Sequence, residues 1–87
     1  MADRLRLRVY SPEQQLVDTD VSEVTAPGAY GEIGVLPDHA ALVTALEAGT
    51  LSYKEGAQTK RVKISGGFAE VRDNVMTILA DAAEVVG

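Results

Sequence analysis

Apolar residues in this chain recur at every second position, and turn-forming residues interrupt them at short intervals. Residues 4–10, Arg-Leu-Arg-Leu-Arg-Val-Tyr, set the pattern. The two-residue period of a strand sends Leu5, Leu7 and Val9 to one face and Arg4, Arg6 and Arg8 to the other. No apolar period of 3.6 residues persists anywhere. The best helix candidate, 40–46, is too short and too rich in β-branched residues to outweigh a strand.

Ser11-Pro12-Glu13 ends the first strand, because proline cannot donate to a ladder. Further strands are expected at 14–18, 21–26, 31–35, 42–46, 49–54, 60–65, 67–72 and 75–80. Turns are expected at Ala26-Pro27-Gly28, Glu55-Gly56, Gly66-Gly67 and Asp73-Asn74. Short strands at this spacing imply an all-β antiparallel sandwich or barrel. In the second half Lys60, Val62, Ile64, Phe68, Val71, Val75, Ile78 and Leu79 are expected on the apolar side. The alternation slips between Phe68 and Val71, which implies a bulge or burial of both faces. The tail Asp81-Ala82-Ala83-Glu84 reads either as a last strand or as the capping box of a starting helix.

With 87 residues the chain is expected to form one domain, 1–87. A chain this size buries roughly 60–65% of the surface its unfolded form exposes, so one modest core is feasible. Phe68 and three tyrosines are the only aromatic residues, so bases would find no stacking platform. The net charge of −5 argues against a phosphate-backbone binder, and no nucleic-acid partner is expected. Having no cysteine rules out a disulfide framework, a thiolate zinc site and a thiol nucleophile. Met1-Ala2-Asp3-Arg4 lacks the apolar run of a signal peptide, and no stretch approaches the ~20 apolar residues of a membrane span. A soluble, intracellular setting is the expectation.

The segment Gly31-Glu32-Ile33-Gly34-Val35-Leu36-Pro37-Asp38-His39-Ala40 concentrates backbone-special residues around the only histidine. Gly31 and Gly34 permit positive φ or close approach, and Pro37 fixes φ and ends pairing. A short strand followed by a rigid turn presenting Asp38 and His39 is expected. Catalysis by His39 would need a nucleophile and an orienting partner, and neither is evident, so no catalytic residue is assigned. No metal site is assigned either, since there is no second histidine and no cysteine. The glycines lack the Lys-Ser/Thr of a phosphate loop, so no cofactor is expected. The Arg4, Arg6 and Arg8 stripe reads as a solvated strand face that discourages edge pairing. Lys54, Lys60, Arg61 and Lys63 flank an exposed hairpin around Gly56.

The decapeptide resembles the G-E-x-G-[IVL]-[LY]-P-x-H-A signature of the epsilon subunit of rotary F-type ATP synthases. Val9-Tyr10-Ser11-Pro12-Glu13 is similar to that family's opening strand and turn. Leu36 to Leu46 is similar to its L-P-G-H-A-P-L-[LV]-[TS]-x-[LI] segment. Ile64-Ser65-Gly66-Gly67-Phe68-Ala69-Glu70-Val71 and Val75 to Asp81 resemble I-x-G-G-[FI]-x-E-V and V-T-[VI]-L-A-[DE]. These ordered blocks cover most of the chain. Asp38 stands where the family commonly has glycine, and Ala41 where it commonly has proline.

The resemblance implies a ten-stranded β-sandwich without the family's C-terminal helical hairpin. It implies a non-catalytic central-stalk subunit that grips gamma and rests on the c-ring, coupling rotation to ATP synthesis. Ser11, His39, Ala40 and Thr44 match gamma-facing positions, and Gly31 and Glu32 match c-ring-facing ones. Read from the residues alone, Gly34, Pro37, Gly66 and Gly67 are expected at structural turns and close strand approaches. Nucleotide binding is not expected without the hairpin. The implied location is peripheral, on the cytoplasmic face of a bacterial inner membrane or the stromal face of a thylakoid. The alternative is a small carbohydrate- or peptide-binding β-sandwich module, which would need an aromatic-lined cleft. A hydrolase built on Asp38 and His39 is the other rival, and no nucleophile supports it.

Overall fold

A computed structural model describes residues 3–87; Met1 and Ala2, and the leader reading made on them, lie outside the described residues. Ten strands follow in order: β1 (Leu5–Tyr10), β2 (Gln15–Val21), β3 (Glu23–Gly28), β4 (Gly31–Val35), β5 (Leu42–Leu46), β6 (Gly49–Glu55), β7 (Gln58–Ile64), β8 (Gly67–Arg72), β9 (Val75–Ala80) and β10 (Ala83–Val85). They hydrogen-bond in the order β10-β7-β6-β3-β5-β8-β9-β1-β2, with β4 paired to β3 alone. The sheet curls so that β2 packs against β6 and β10, giving a nearly closed sandwich.

The expected antiparallel pattern holds at every pairing but one. β1 lies parallel to β9, with Leu7 beside Met76 and Val9 beside Ile78. Parallel neighbours need a long crossover, here the whole chain between β1 and β9. A ladder restricted to hairpins could not close the sandwich this way.

The alternation of β1 sends Leu5, Leu7 and Val9 into the core with no exposed surface. They meet Leu51, Val62, Val71, Met76 and Ile78 from the facing strands in one apolar cluster that contains no buried polar residue. The opposite side of β1 forms an ion-pair ladder with β2. Arg6 reaches Asp18 at 2.7 Å and Asp20 at 3.3 Å, and Arg8 reaches Asp18 at 3.4 Å. The arginine stripe is therefore a paired outer face at these positions. Hydrogen bonding from Arg6 holds the Asp18 carboxyl below its ordinary range and raises the guanidinium in turn. In the second basic group, Lys54 pairs with Glu23 and Lys60 with Glu55.

Several sequence expectations need correction. Ala26, Pro27 and Gly28 belong to β3, and the reversal falls on Ala29 and Tyr30. The Pro27 ring brings no N–H that would need a ladder partner, and the Pro27 carbonyl accepts from the Glu47 N–H at 2.9 Å. Phe68 and Leu79 do not join the core: they are 59% and 55% exposed, while their neighbours Ala69 and Ile78 are buried. The β8 register is unbroken on both sides, so the slip in alternation reflects apolar residues on both faces, with no bulge. A register shift occurs instead between β1 and β2, where Val9 faces Val17 and Tyr10 faces Gln15, leaving Leu16 of β2 as the extra residue. At the tail, β10 pairs with β7 and Ser65 N–H bonds to the Ala82 carbonyl, so the acidic segment closes the sheet and starts no helix.

Candidate docking interface

The outer face of β1, β9, β8 and β5 is built by cross-strand register. Tyr10, Leu79, Phe68 and Ala45 form one row; Arg8, Thr77, Glu70 and Val43 form the next. Val43 is 72% exposed, so with Phe68 and Leu79 it makes three large apolar side chains open to water on adjoining strands. Together with Ala69, Glu70 and Thr77 they line a shallow concavity of about 220 Å³. Exposed apolar side chains clustered on one sheet face mark a surface that is covered in use.

The sequence did not single out Val43, Phe68 and Leu79 as site residues. A signal was present, however. Leu42-Val43, Phe68-Ala69 and Ile78-Leu79 are apolar doublets in strands where one-sided burial would alternate apolar with polar.

The expected gamma-facing residues bracket this face. Ser11 follows β1 at one end, where its N–H bonds to the Gln14 carbonyl at 2.8 Å and its hydroxyl lies 3.4 Å from Glu13 Oε2. His39 and Ala40 precede β5 at the other end. The Pro37-Asp38 turn is closed by the His39 N–H on the Leu36 carbonyl at 3.2 Å. The His39 ring Nδ1 lies 2.6 Å from the Ala40 carbonyl, which fixes the imidazole against its own loop. Thr44 lies between Val43 and Ala45 on β5, in register with buried Ala69, so its side chain takes the inner side of the sheet, away from the exposed face. The structure thus places Ser11 and His39 at opposite ends of one sheet, with the exposed face between them.

Gly31 and Glu32 open β4 at the tip of the β3–β4 hairpin, beside Tyr30, which is 99% exposed. Gly31 has φ of 126°, and Pro37 stands in the turn before His39. Gly34, by contrast, sits inside β4 opposite Thr25, with open space where a Cβ would project, so no turn demands it. Gly66 and Gly67 enter β8 with φ of 128° and 143°. A Cβ at Gly67 would overlap the Leu79 carbonyl and lie 2.9 Å from Ala80 Cα. This glycine lets β8 and β9 approach at the end of the apolar face.

Among the described residues no group of three or more His, Asp and Glu side chains could hold a metal ion, and no helix is long and apolar enough to cross a membrane. The fold and the face define a small β-sandwich domain with an apolar cluster exposed on one sheet face. The chain belongs to the family described as ATP synthase, Delta/Epsilon chain, beta-sandwich domain, whose family model matches residues 4–86. It is 46% identical over 84 residues to the ATP synthase epsilon chain of Carboxydothermus hydrogenoformans, covering 97% of this chain and 63% of that one. The epsilon chain of Desulforamulus reducens is likewise 46% identical over 84 residues, with 97% and 64% covered. The chain therefore spans somewhat under two thirds of these relatives. Among solved structures, a chain of the Euglena gracilis mitochondrial ATP synthase (OSCP/F1/c-ring) superposes with a TM-score of 0.90 at 31% identity, covering 98% of this chain and 55% of that one. A Tetrahymena thermophila mitochondrial ATP synthase central stalk/c-ring chain shares the fold, with a TM-score of 0.78 at 17% identity.

Proposed function

We propose that this domain is a non-catalytic element of the central stalk of a proton-translocating F-type ATP synthase. The outer face of β1, β9, β8 and β5 grips the gamma subunit, and the β3–β4 hairpin end meets the c-ring. The observation that carries the reading is the exposed Val43, Phe68 and Leu79 cluster framed by Ser11 and His39. Apolar side chains in water are unfavourable by roughly 25 cal/mol per Å², so a covering partner gains what the free domain forgoes.

The work is mechanical. Torque passes through a body that does not deform, and a short-looped sandwich with an all-apolar core meets that need. Ser11, His39 and Ala40 serve as contacts at the ends of the gamma-facing sheet, and Gly31 and Glu32 as contacts at the c-ring end; Thr44, on the inner side of β5, is left out of the contact set. Similarity to epsilon chains and to a chain of an ATP synthase F1/c-ring assembly supports this reading. The domain then sits peripherally, on the cytoplasmic face of a bacterial inner membrane.

Size-exclusion co-migration with purified gamma subunit tests the reading. A one-to-one complex is expected with the wild-type chain, and none with Phe68→Glu. A Phe68→Glu protein that co-migrates as well as wild type would remove the gamma-facing assignment of this face.

A further inference from the structure

We propose that the concavity between β5, β8 and β9 is a socket for a single arginine or lysine side chain projecting from the gamma subunit. Its aliphatic stem lies on Val43, Phe68 and Leu79, and its charged head meets Glu70. The inference rests on the gamma-facing reading of this face and specifies the chemistry of the contact there.

Three observations on the page lead to it. First, the hollow of about 220 Å³ takes a side chain, well beyond one or two waters at about 30 Å³ each. Its wall is apolar apart from Thr77 and a single ionisable group, Glu70. Second, Glu70 stands directly between Val43 and Thr77 in the cross-strand row, exposed, with no ion pair or hydrogen bond among the described residues. Third, the cations nearest in register are engaged elsewhere. Arg72, two residues along the same face, leans on Asp73 at 3.5 Å, and Arg8, two strands away in the same row, is held by Asp18.

A carboxylate at the rim of an apolar hollow suits a ligand that is apolar along its length and cationic at its tip. Arginine and lysine side chains have that form, burying the stem and keeping the head polar. A purely aliphatic knob would fill the hollow and leave Glu70 desolvated without a partner, which is costly. An acidic side chain would be repelled. Once the interface closes and water leaves, the pair acquires the directionality that fixes the register of docking.

Isothermal titration of the chain with purified gamma subunit tests the socket, using wild type, Glu70→Gln, Glu70→Lys and Phe68→Glu at about 50 mM and about 300 mM salt. Glu70→Gln is expected to weaken binding roughly tenfold and to flatten its salt dependence, and Glu70→Lys to weaken it roughly a hundredfold. Circular dichroism should show all three variants folded, since Glu70 and Phe68 are exposed. If Phe68→Glu abolishes binding while Glu70→Gln matches wild type at both salts, the socket is wrong and the gamma-facing sheet stands. If Phe68→Glu also binds normally, or wild type does not bind, the face itself is misassigned and the socket falls with it.

Discussion

Asn74 Oδ1 accepts the backbone N–H of Asp38 at 2.9 Å, joining the β8–β9 turn to the turn that carries His39. The same side chain donates through Nδ2 to the Arg4 carbonyl at 2.5 Å, and the Asn74 carbonyl accepts from the Arg6 N–H at 3.1 Å. One residue therefore ties together the entry to β1, the loop before β5 and the hairpin between β8 and β9. Asp73 and Asn74 both have positive φ, 50° and 64°, as a two-residue hairpin with the twist of its strands requires. Asp38 has φ of 64° as well, so at this family-divergent position an aspartate adopts the left-handed backbone that glycine would take freely.

Asn74→Ala removes both side-chain hydrogen bonds and puts a Cβ-bearing residue without local bonding into a left-handed turn. Urea unfolding should show a loss of roughly 3 kcal/mol, about 1 from each of the two lost bonds and about 1 from the left-handed backbone. Asn74→Gly keeps the backbone free and should lose less. In both variants the Asp38 amide should exchange its hydrogen faster than in wild type. An unchanged Asp38 exchange rate would mean that the asparagine does not hold this turn.

Gly67→Ala probes the closest strand approach on the docking face. The new methyl would overlap the Leu79 carbonyl, and φ of 143° is strained for any residue with a Cβ. A destabilisation of about 2 kcal/mol or more is expected in chemical denaturation. Gly34→Ala is the control. Its Cβ would meet nothing within 4 Å, so its unfolding midpoint should stay close to wild type.

Much of the architecture was legible because it depends on period and on turn chemistry, which are local. Leu5, Leu7 and Val9 declare a buried strand face by alternation alone, and Asp73-Asn74 declares a tight hairpin by composition. What escaped was non-local. The parallel β1–β9 pairing carries no local mark, because each strand reads the same whichever direction its neighbour runs. Phe68 and Leu79 read as core because an apolar residue in a strand looks alike whether it faces the interior or a partner. Ser11 and His39, at the two ends of the exposed apolar face, were singled out as gamma contacts only through resemblance to the epsilon family. The middle of that face became visible only with the register.

Two surface pairs are expected to contribute to the response to acid. The Asp18 carboxyl is lowered by hydrogen bonding from Arg6, and the Glu55 carboxyl by Lys60 at 2.7 Å and by the Thr19 hydroxyl. A carboxylate more acidic in the folded than in the unfolded chain contributes stability above its unfolded value and loses it as pH falls through the folded one. The urea midpoint should therefore hold steady from about pH 8 to about pH 6 and decline on acidification below the ordinary carboxylate range near 4. The Asp18→Asn, Glu55→Gln double variant should show a smaller acid decline. An equal decline in both proteins would assign the acid sensitivity to other carboxylates. Lys60 is raised by the same pair, so its contribution is intact at neutral pH and fades only in strong alkali.

Adjacent residues on β9 separate fold from docking. Ile78 is fully buried and Leu79 is 55% exposed, one position apart on opposite faces. Ile78→Ala should cost about 2–5 kcal/mol through lost burial and the cavity left behind. Leu79→Ser should alter stability by about 0.5 kcal/mol or less, because its side chain already faces water in the free domain. Binding to gamma should reverse that order when measured on folded protein: Leu79→Ser weakens the complex, and Ile78→Ala, below its unfolding transition, leaves affinity near wild type. Equal affinity for Leu79→Ser and wild type would put the gamma contact on some other surface. A large stability loss in Leu79→Ser would mean that the residue is packed against the domain itself, and that the apolar doublets mark a second internal contact.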